Sequence, residues 1–119
     1  MRGLTIDPDA PDGQAVAMTA PTHATLATFR IDLAREAEQR EGLERMIVPG
    51  VRQFPGFISG HWTVDRETSE RLVLLTYASQ AAAGAMSENI RSNAENQRRA
   101  GLDLVGVRIL EIAASASAS

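Results

Sequence analysis

Hydrophobic and polar positions in this chain repeat first every two residues and then every three to four, and the period switches four times between residues 24 and 112. In 24–33, Thr25, Ala27, Phe29, Ile31 and Leu33 fall on one face and Leu26, Thr28, Arg30 and Asp32 on the other, the alternation of a strand. In 34–54, Ala34, Ala37, Leu43, Met46, Ile47, Val51 and Phe54 recur at helical spacing, with Glu36/Arg40 and Glu41/Arg45 four apart on the polar side. Pro49 has no amide hydrogen and its ring crowds the turn before it, so a kink or break is expected near Val48.

Pro55-Gly56 then stops the helix and opens a second strand at 57–65, which contains Ser59, Gly60, His61 and Trp62. The polar run from Asp65 to Glu70 reads as a hairpin connection into a third, antiparallel strand at 72–77. Ser79 suits the N-cap of a second helix at 80–99, whose stripe is Ala82, Met86, Ile90 and Ala94, and Gly101 lies just past its end. A last strand at 104–112 sets Val105, Val107 and Ile109 against Leu104, Leu110 and Ile112.

The order implies an α+β fold, the ferredoxin-like βαββαβ plan with a four-stranded antiparallel sheet and both helices on one face. That plan leaves the other sheet face bare. The third strand is nevertheless apolar on both sides, Val73, Leu75 and Tyr77 against Leu72 and Leu74, whereas a sheet with one wet face alternates more cleanly. Leu26, Leu72, Leu74, Leu104, Leu110 and Ile112 are placed on the bare face, a patch that calls for a second subunit's sheet. A homodimer closing into a dimeric α/β barrel is therefore expected.

Composition narrows the chemistry. The 119 residues suffice for one core, the domain at 24–112. Residues 1–23, with Pro8, Pro11 and Pro21 among small and acidic residues, form an N-terminal arm expected to be disordered or docked elsewhere, and 113–119 is an alanine/serine tail. There is no cysteine, hence no disulfide, thiolate metal site or cysteine nucleophile. Net charge is −3, from 12 basic and 15 acidic residues that intermingle, so no nucleic-acid footprint exists. No apolar run is long enough to span a bilayer, and Asp7, Asp9 and Asp12 interrupt the start where a signal peptide is apolar; a cytoplasmic protein without a membrane partner is expected. The only histidines, His23 and His61, lie far apart without carboxylates at ligand spacing, so no metal is expected.

Two junctions carry a resemblance: Val51-Arg52-Gln53-Phe54-Pro55-Gly56-Phe57 between first helix and second strand, and Leu74-Leu75-Thr76-Tyr77-Ala78-Ser79 between third strand and second helix. Over residues 24–112 the chain resembles dimeric α/β-barrel proteins of the antibiotic-biosynthesis monooxygenase type. The resemblance implies a small aromatic or polyketide-like substrate held between helices and sheet and oxidised without a bound cofactor. In such oxygenases the substrate anion itself reduces dioxygen, so the protein positions it and removes a proton. Departures from the family pattern are specific. Its quinone-forming members carry an asparagine four residues before the aromatic that Tyr77 matches, where this chain has Val73; Ala83 stands near a family tyrosine and Thr63 near a family histidine. Haem-degrading members need an asparagine where Phe29 sits and a histidine on the second helix, which has none, so haem degradation is not expected.

On this resemblance His61 and Arg91 are the candidate catalytic groups: an imidazole titrates near neutral pH, and Arg91 matches a family arginine at the pocket mouth that would polarise an oxygen. Phe29, Trp62 and Tyr77 are the candidate substrate-binding wall, the last two being the only tryptophan and tyrosine. Each also has a plain structural reading, as interface histidine, solvated helix arginine or core aromatic. The alternative function is a non-catalytic small-molecule-binding or accessory dimer of the same fold. A purely structural dimer results if Ala81, Ala82, Ala83 and Ala85 let the second helix settle onto the sheet and close the cavity.

Overall fold

The computed structural model describes residues 20–118 together with the strands β1 (Leu4–Ile6) and β2 (Ala15–Ala17), which pair antiparallel within the N-terminal arm. The rest of the expected arm up to Thr19, and Ser119, lie outside the described residues. A four-stranded antiparallel sheet follows, built from β3 (His23–Ile31), β4 (Phe57–Trp62), β5 (Glu70–Tyr77) and β6 (Leu102–Glu111) in the spatial order β4-β5-β3-β6. Helices α1 (Glu36–Gly42) and α2 (Val48–Arg52) precede β4, and α3 (Gln80–Ser92) and α4 (Ala94–Arg99) precede β6. This is the expected ferredoxin-like order. Residues 112–118 carry no regular structure, and no helix among the described residues is long and apolar enough to cross a membrane.

Several local expectations change. The first strand stops at Ile31, because the Asp32 carboxylate accepts the amide of Ala34 at 3.0 Å and starts a 3-10 turn at Leu33–Arg35. Pro49 does not break the helix that follows. The chain instead widens into a π-helical turn at Leu43–Ile47, and the Val48 amide donates five residues back to the Leu43 carbonyl. The wider turn accommodates a residue without an amide hydrogen and relieves its ring's crowding.

These irregular turns rotate the helical phase away from the expected stripe: Ala34, Ala37, Met46 and Ile47 are exposed, and Gln39 is buried in their place. Its Nε2 donates to the carbonyls of Asp32, Ala100 and Gly101 at 3.1 to 3.4 Å, closing the helix onto the start of β6. Glu36 pairs with Arg40 at 2.8 Å as expected, and Arg66 joins it from the hairpin at 3.3 Å; Glu41 and Arg45 form no ion pair among the described residues.

The second helix is divided at Asn93, where φ is −103° and ψ is 12°. The last strand begins at Leu102 and carries a bulge: Leu104 lies opposite Phe29 but Gly106 opposite Thr28, leaving Val105 as the extra residue. The slip turns Leu104 toward the helices, where it packs on the core rather than on the bare face.

Ala27, Phe29, Ile31, Val73, Leu75 and Tyr77 of the sheet meet Ala83, Met86 and Ile90 of α3 to make that core. The Thr25 hydroxyl donates to the Ala83 carbonyl at 2.8 Å and lies 3.3 Å from the Ser87 hydroxyl, which donates to the same carbonyl at 2.9 Å. A sheet side chain that short reaches the helix backbone only if the helix lies close. Ala83 therefore serves close approach, whereas Ala81 and Ala85 are exposed. Across the sheet, Leu72 and Leu74 stay 37 and 38 % exposed, with Leu26 directly opposite Leu74.

Helix and second strand are joined through Gly56, whose φ is +81° and whose carbonyl accepts the Ala78 amide at 2.9 Å. A Cβ there would stand 2.8 Å from that of Ala82. Strained backbone and clash together predict that Gly56→Ala lowers stability by about 2 kcal/mol in urea unfolding. An unchanged midpoint would contradict this junction.

Candidate functional site

Side chains on β5 alternate, so Arg71, Val73, Leu75 and Tyr77 all face the helices. Register then decides their company: Phe57 lies beside Tyr77, Gly60 beside Leu75 and Trp62 beside Val73 on one side, Ala27 beside Val73 and Phe29 beside Arg71 on the other. Phe29, Trp62 and Tyr77 thus share the helix-covered face. They form a wall rather than a cluster, since Phe29 and Tyr77 sit six residue rows apart, roughly 20 Å at 3.3 Å per residue.

Trp62 is half-buried, and Gly60 makes room for it. A Cβ on Gly60 would lie 2.7 Å from Leu75 Cδ2 and 3.2 Å from the indole ring, so the ring folds back along β4 over the missing side chain. Tyr77 is completely buried, edge-on to Phe57 with ring centroids 5.8 Å apart and planes at 69°. Its hydroxyl has no hydrogen-bond partner among the described residues, and burial pushes its pKa up to about 12.

The two candidate catalytic groups do not join this wall. His61 lies opposite Leu74 and is exposed on the bare face, near the Ser59 and Thr76 hydroxyls that meet at 2.7 Å. Arg91 is tied to Glu88 at 3.2 Å and to the Val107 carbonyl at 3.0 Å, which places it over β6, at the opposite edge of the sheet from Trp62. Three strand spacings separate those edges, roughly 14 Å. Among the described residues no group of three or more histidine, aspartate or glutamate side chains is arranged to hold a metal.

Arg71 is the residue that sequence reasoning missed. It is 3 % exposed, opposite Phe29, with Nη1 donating to the Thr63 carbonyl at 3.3 Å. Burial holds its pKa below the usual arginine value, and the Glu36 carboxylate opposes that shift. The signal was available: stepping back by twos from Tyr77 through Leu75 and Val73 lands on Arg71. The charged hairpin masked it, because a strand starting at 72 leaves residue 71 in the turn.

No family model matches the sequence, and neither does any curated protein sequence. Solved structures do match. A monooxygenase from the gene ActVA-Orf6 of Streptomyces coelicolor, in complex with nanaomycin D, superposes with a TM-score of 0.61 at 15% identity, over 83% of this chain and 94% of that one. A Deinococcus radiodurans protein put forward as an antibiotic biosynthesis monooxygenase gives a TM-score of 0.57 at 13% identity, over 82% and 96%. The chain has the fold of the antibiotic-biosynthesis monooxygenases. MupZ from Pseudomonas fluorescens shares the same fold, with a TM-score of 0.60 at 10% identity over 76% of this chain and 71% of that one. Likeness at this identity fixes the monooxygenase-type fold and leaves activity to the residues of the site.

Tyr77 is the only tyrosine, so phenolate absorbance reports its burial directly. The phenol is expected to titrate with a midpoint of about 12 instead of its ordinary 10.0. Below pH 10 it is neutral in both folded and unfolded chains, whereas between pH 10 and about 12 the unfolded chain ionises first, so folding stability drains away across that window. A midpoint at the ordinary value would place Tyr77 in solvent.

Proposed function

We propose that this chain acts on a small aromatic or polyketide-like molecule, held between helices and sheet without a bound cofactor, as an antibiotic-biosynthesis-monooxygenase-like protein. The observation that carries this reading is the buried Tyr77 hydroxyl without a partner, set in an apolar wall with Phe57 and, further along, Trp62. A sparse polar group in an aromatic layer is the composition that orients a flat ligand. The fold shared with the nanaomycin-bound monooxygenase supports the ligand class.

Oxidation of a phenol to a quinone by dioxygen balances with no further reductant. One oxygen atom enters the ring and the other leaves as water, with the substrate anion supplying the electrons. The protein's share is to hold the ring, exclude water and accept a proton.

One observation favours the second reading, a non-catalytic binding or accessory protein: His61, the candidate base, is on the other side of the sheet from Trp62 and Tyr77. Oxygen-electrode measurements with an anthrone separate the two. Monooxygenase action consumes dioxygen and yields the anthraquinone, while the accessory reading gives binding with no uptake above the protein-free rate. In either case Trp62→Ala should weaken binding of the aromatic ligand by about 1–3 kcal/mol, read by calorimetry, and unchanged affinity removes the wall.

The working unit in this proposal is a homodimer joined through the bare face, where Leu26, Leu72, Leu74 and Leu110 line up on neighbouring strands. Burying that patch is worth about 25 cal/mol per Å² of apolar surface. Light scattering at micromolar concentration should return twice 12.8 kDa, and Leu74→Glu should split or unfold the assembly. A clean monomer overturns the dimer.

A further inference from the structure

Arg71 is buried with only part of its guanidinium used. Nη1 reaches the Thr63 carbonyl at 3.3 Å, while Nε and Nη2 are enclosed without any partner among the described residues. Those two nitrogens form one edge of the planar group, and their N–H bonds run parallel, the spacing that accepts both oxygens of a carboxylate side-on. The guanidinium cannot escape its burial by losing its proton.

The nearby anion of the protein does not fill that edge. Glu36 Oε2 accepts from Arg40 Nε at 3.0 Å and pairs with Arg40 Nη2 at 2.8 Å, and its Oε1 is taken by Arg66 at 3.3 Å. With its carboxylate shared between two exposed arginines, Glu36 makes no hydrogen bond to the third. Two buried amide oxygens, those of Gln39 and Gln97, also lack partners among the described residues. Gln39 binds the Ala100 and Gly101 carbonyls and Gln97 binds that of Ile90, which places both, like Arg71 opposite Phe29, toward the end of the layer where β3 finishes and β6 begins.

We propose that Arg71 is the anchor for the carboxylate of an aromatic acid, whose ring lies along the helix-side wall toward Trp62. The proposal rests on the reading above that this layer takes an aromatic ligand, and it adds the charge that ligand carries. Val73 separates the two residues by one step on β5, since it lies two residues from Arg71 and directly beside Trp62. A carboxylate held at the guanidinium edge thus sets its ring against the indole. Gln39 and Gln97, as free acceptors at the same end, favour hydroxyl groups on the acid over further anionic ones.

The experiment compares 2-naphthoate with 2-naphthamide, which share a shape and differ in charge, by titration calorimetry against the full chain. Naphthoate should bind at least about tenfold more tightly, the scale of a charge-assisted bidentate contact against a neutral one. Arg71→Met should abolish the preference while keeping naphthamide affinity, and Arg71→Lys, charged but without the fork, should restore only part of it. Equal affinity for the two probes in the wild-type chain overturns the carboxylate anchor and leaves the aromatic layer standing, whereas no binding of either probe overturns both. Tighter binding of 2-naphthyl phosphate than of naphthoate also overturns the carboxylate assignment. The wild-type comparison needs no variant to fold, and a preference that survives in Arg71→Met places the anion elsewhere.

Discussion

The seat of α3 on the sheet governs the rest of the molecule. Thr25 on the central strand reaches a helix backbone carbonyl at 2.8 Å, and Ser87 closes on the same carbonyl one turn later. Buried hydrogen bonds of this kind each contribute about 1 kcal/mol net, but leaving the polar groups unpaired costs more, so the contact dictates position as much as stability. It requires Ala83 and Ser87 to be small, and it puts Gly84 within reach of Ile109, at 3.7 Å from where its Cβ would be. With α3 committed to β3 and β6, the first helical segment meets the sheet chiefly where α2 contacts β4. That is the side on which Trp62 and Phe57 lie.

A sheet covered on one side divides chemistry as well as packing. Adjacent residues on a strand point to opposite faces, so His61 and Trp62 cannot serve one site within one chain. The helix-side face collects the aromatics and two polar groups that burial perturbs, Tyr77 near one end and Arg71 near the other. The bare face collects leucines with Ser59, Thr76 and His61. A single pattern of alternation thus sets an apolar, helix-covered layer against a leucine-bearing bare face, and neither can be altered without changing the same strands.

Irregularity is concentrated in the first helical segment. A 3-10 turn, two short α-helical stretches and a π-helical turn occupy residues 33–52, and the apolar Met46 is 71 % exposed there. Proline forces part of this, and the segment that meets β4 is the least regular of the domain. By contrast, the hairpin joining β4 and β5 is pinned by reciprocal backbone bonds between Asp65 and Glu70 at 2.7 and 3.2 Å.

Element order and type were legible in the sequence because hydrophobic period is a local property, and Pro55-Gly56, Ser79 and Gly101 mark boundaries by backbone chemistry alone. The placement of Phe29 and Tyr77 on the face away from Leu26, Leu72 and Leu74 also followed from alternation. Phase was not legible wherever a strand or helix adds a residue. The bulge at Val105 turned Leu104 inward, and the 3-10 turn at Leu33–Arg35 set a helical phase that buries Gln39 in place of Ala37, since neither leaves a mark in the residue pattern. Nor could composition reveal which charged residue loses its solvent. Arg71 falls on the helix-side alternation of β5, but only the folded chain decides that Glu36 pairs with Arg40 and Arg66 while Arg71 Nε and Nη2 are buried with no partner among the described residues. Alternation acts between neighbours in sequence, whereas burial and pairing are settled by residues brought together from distant parts of the chain.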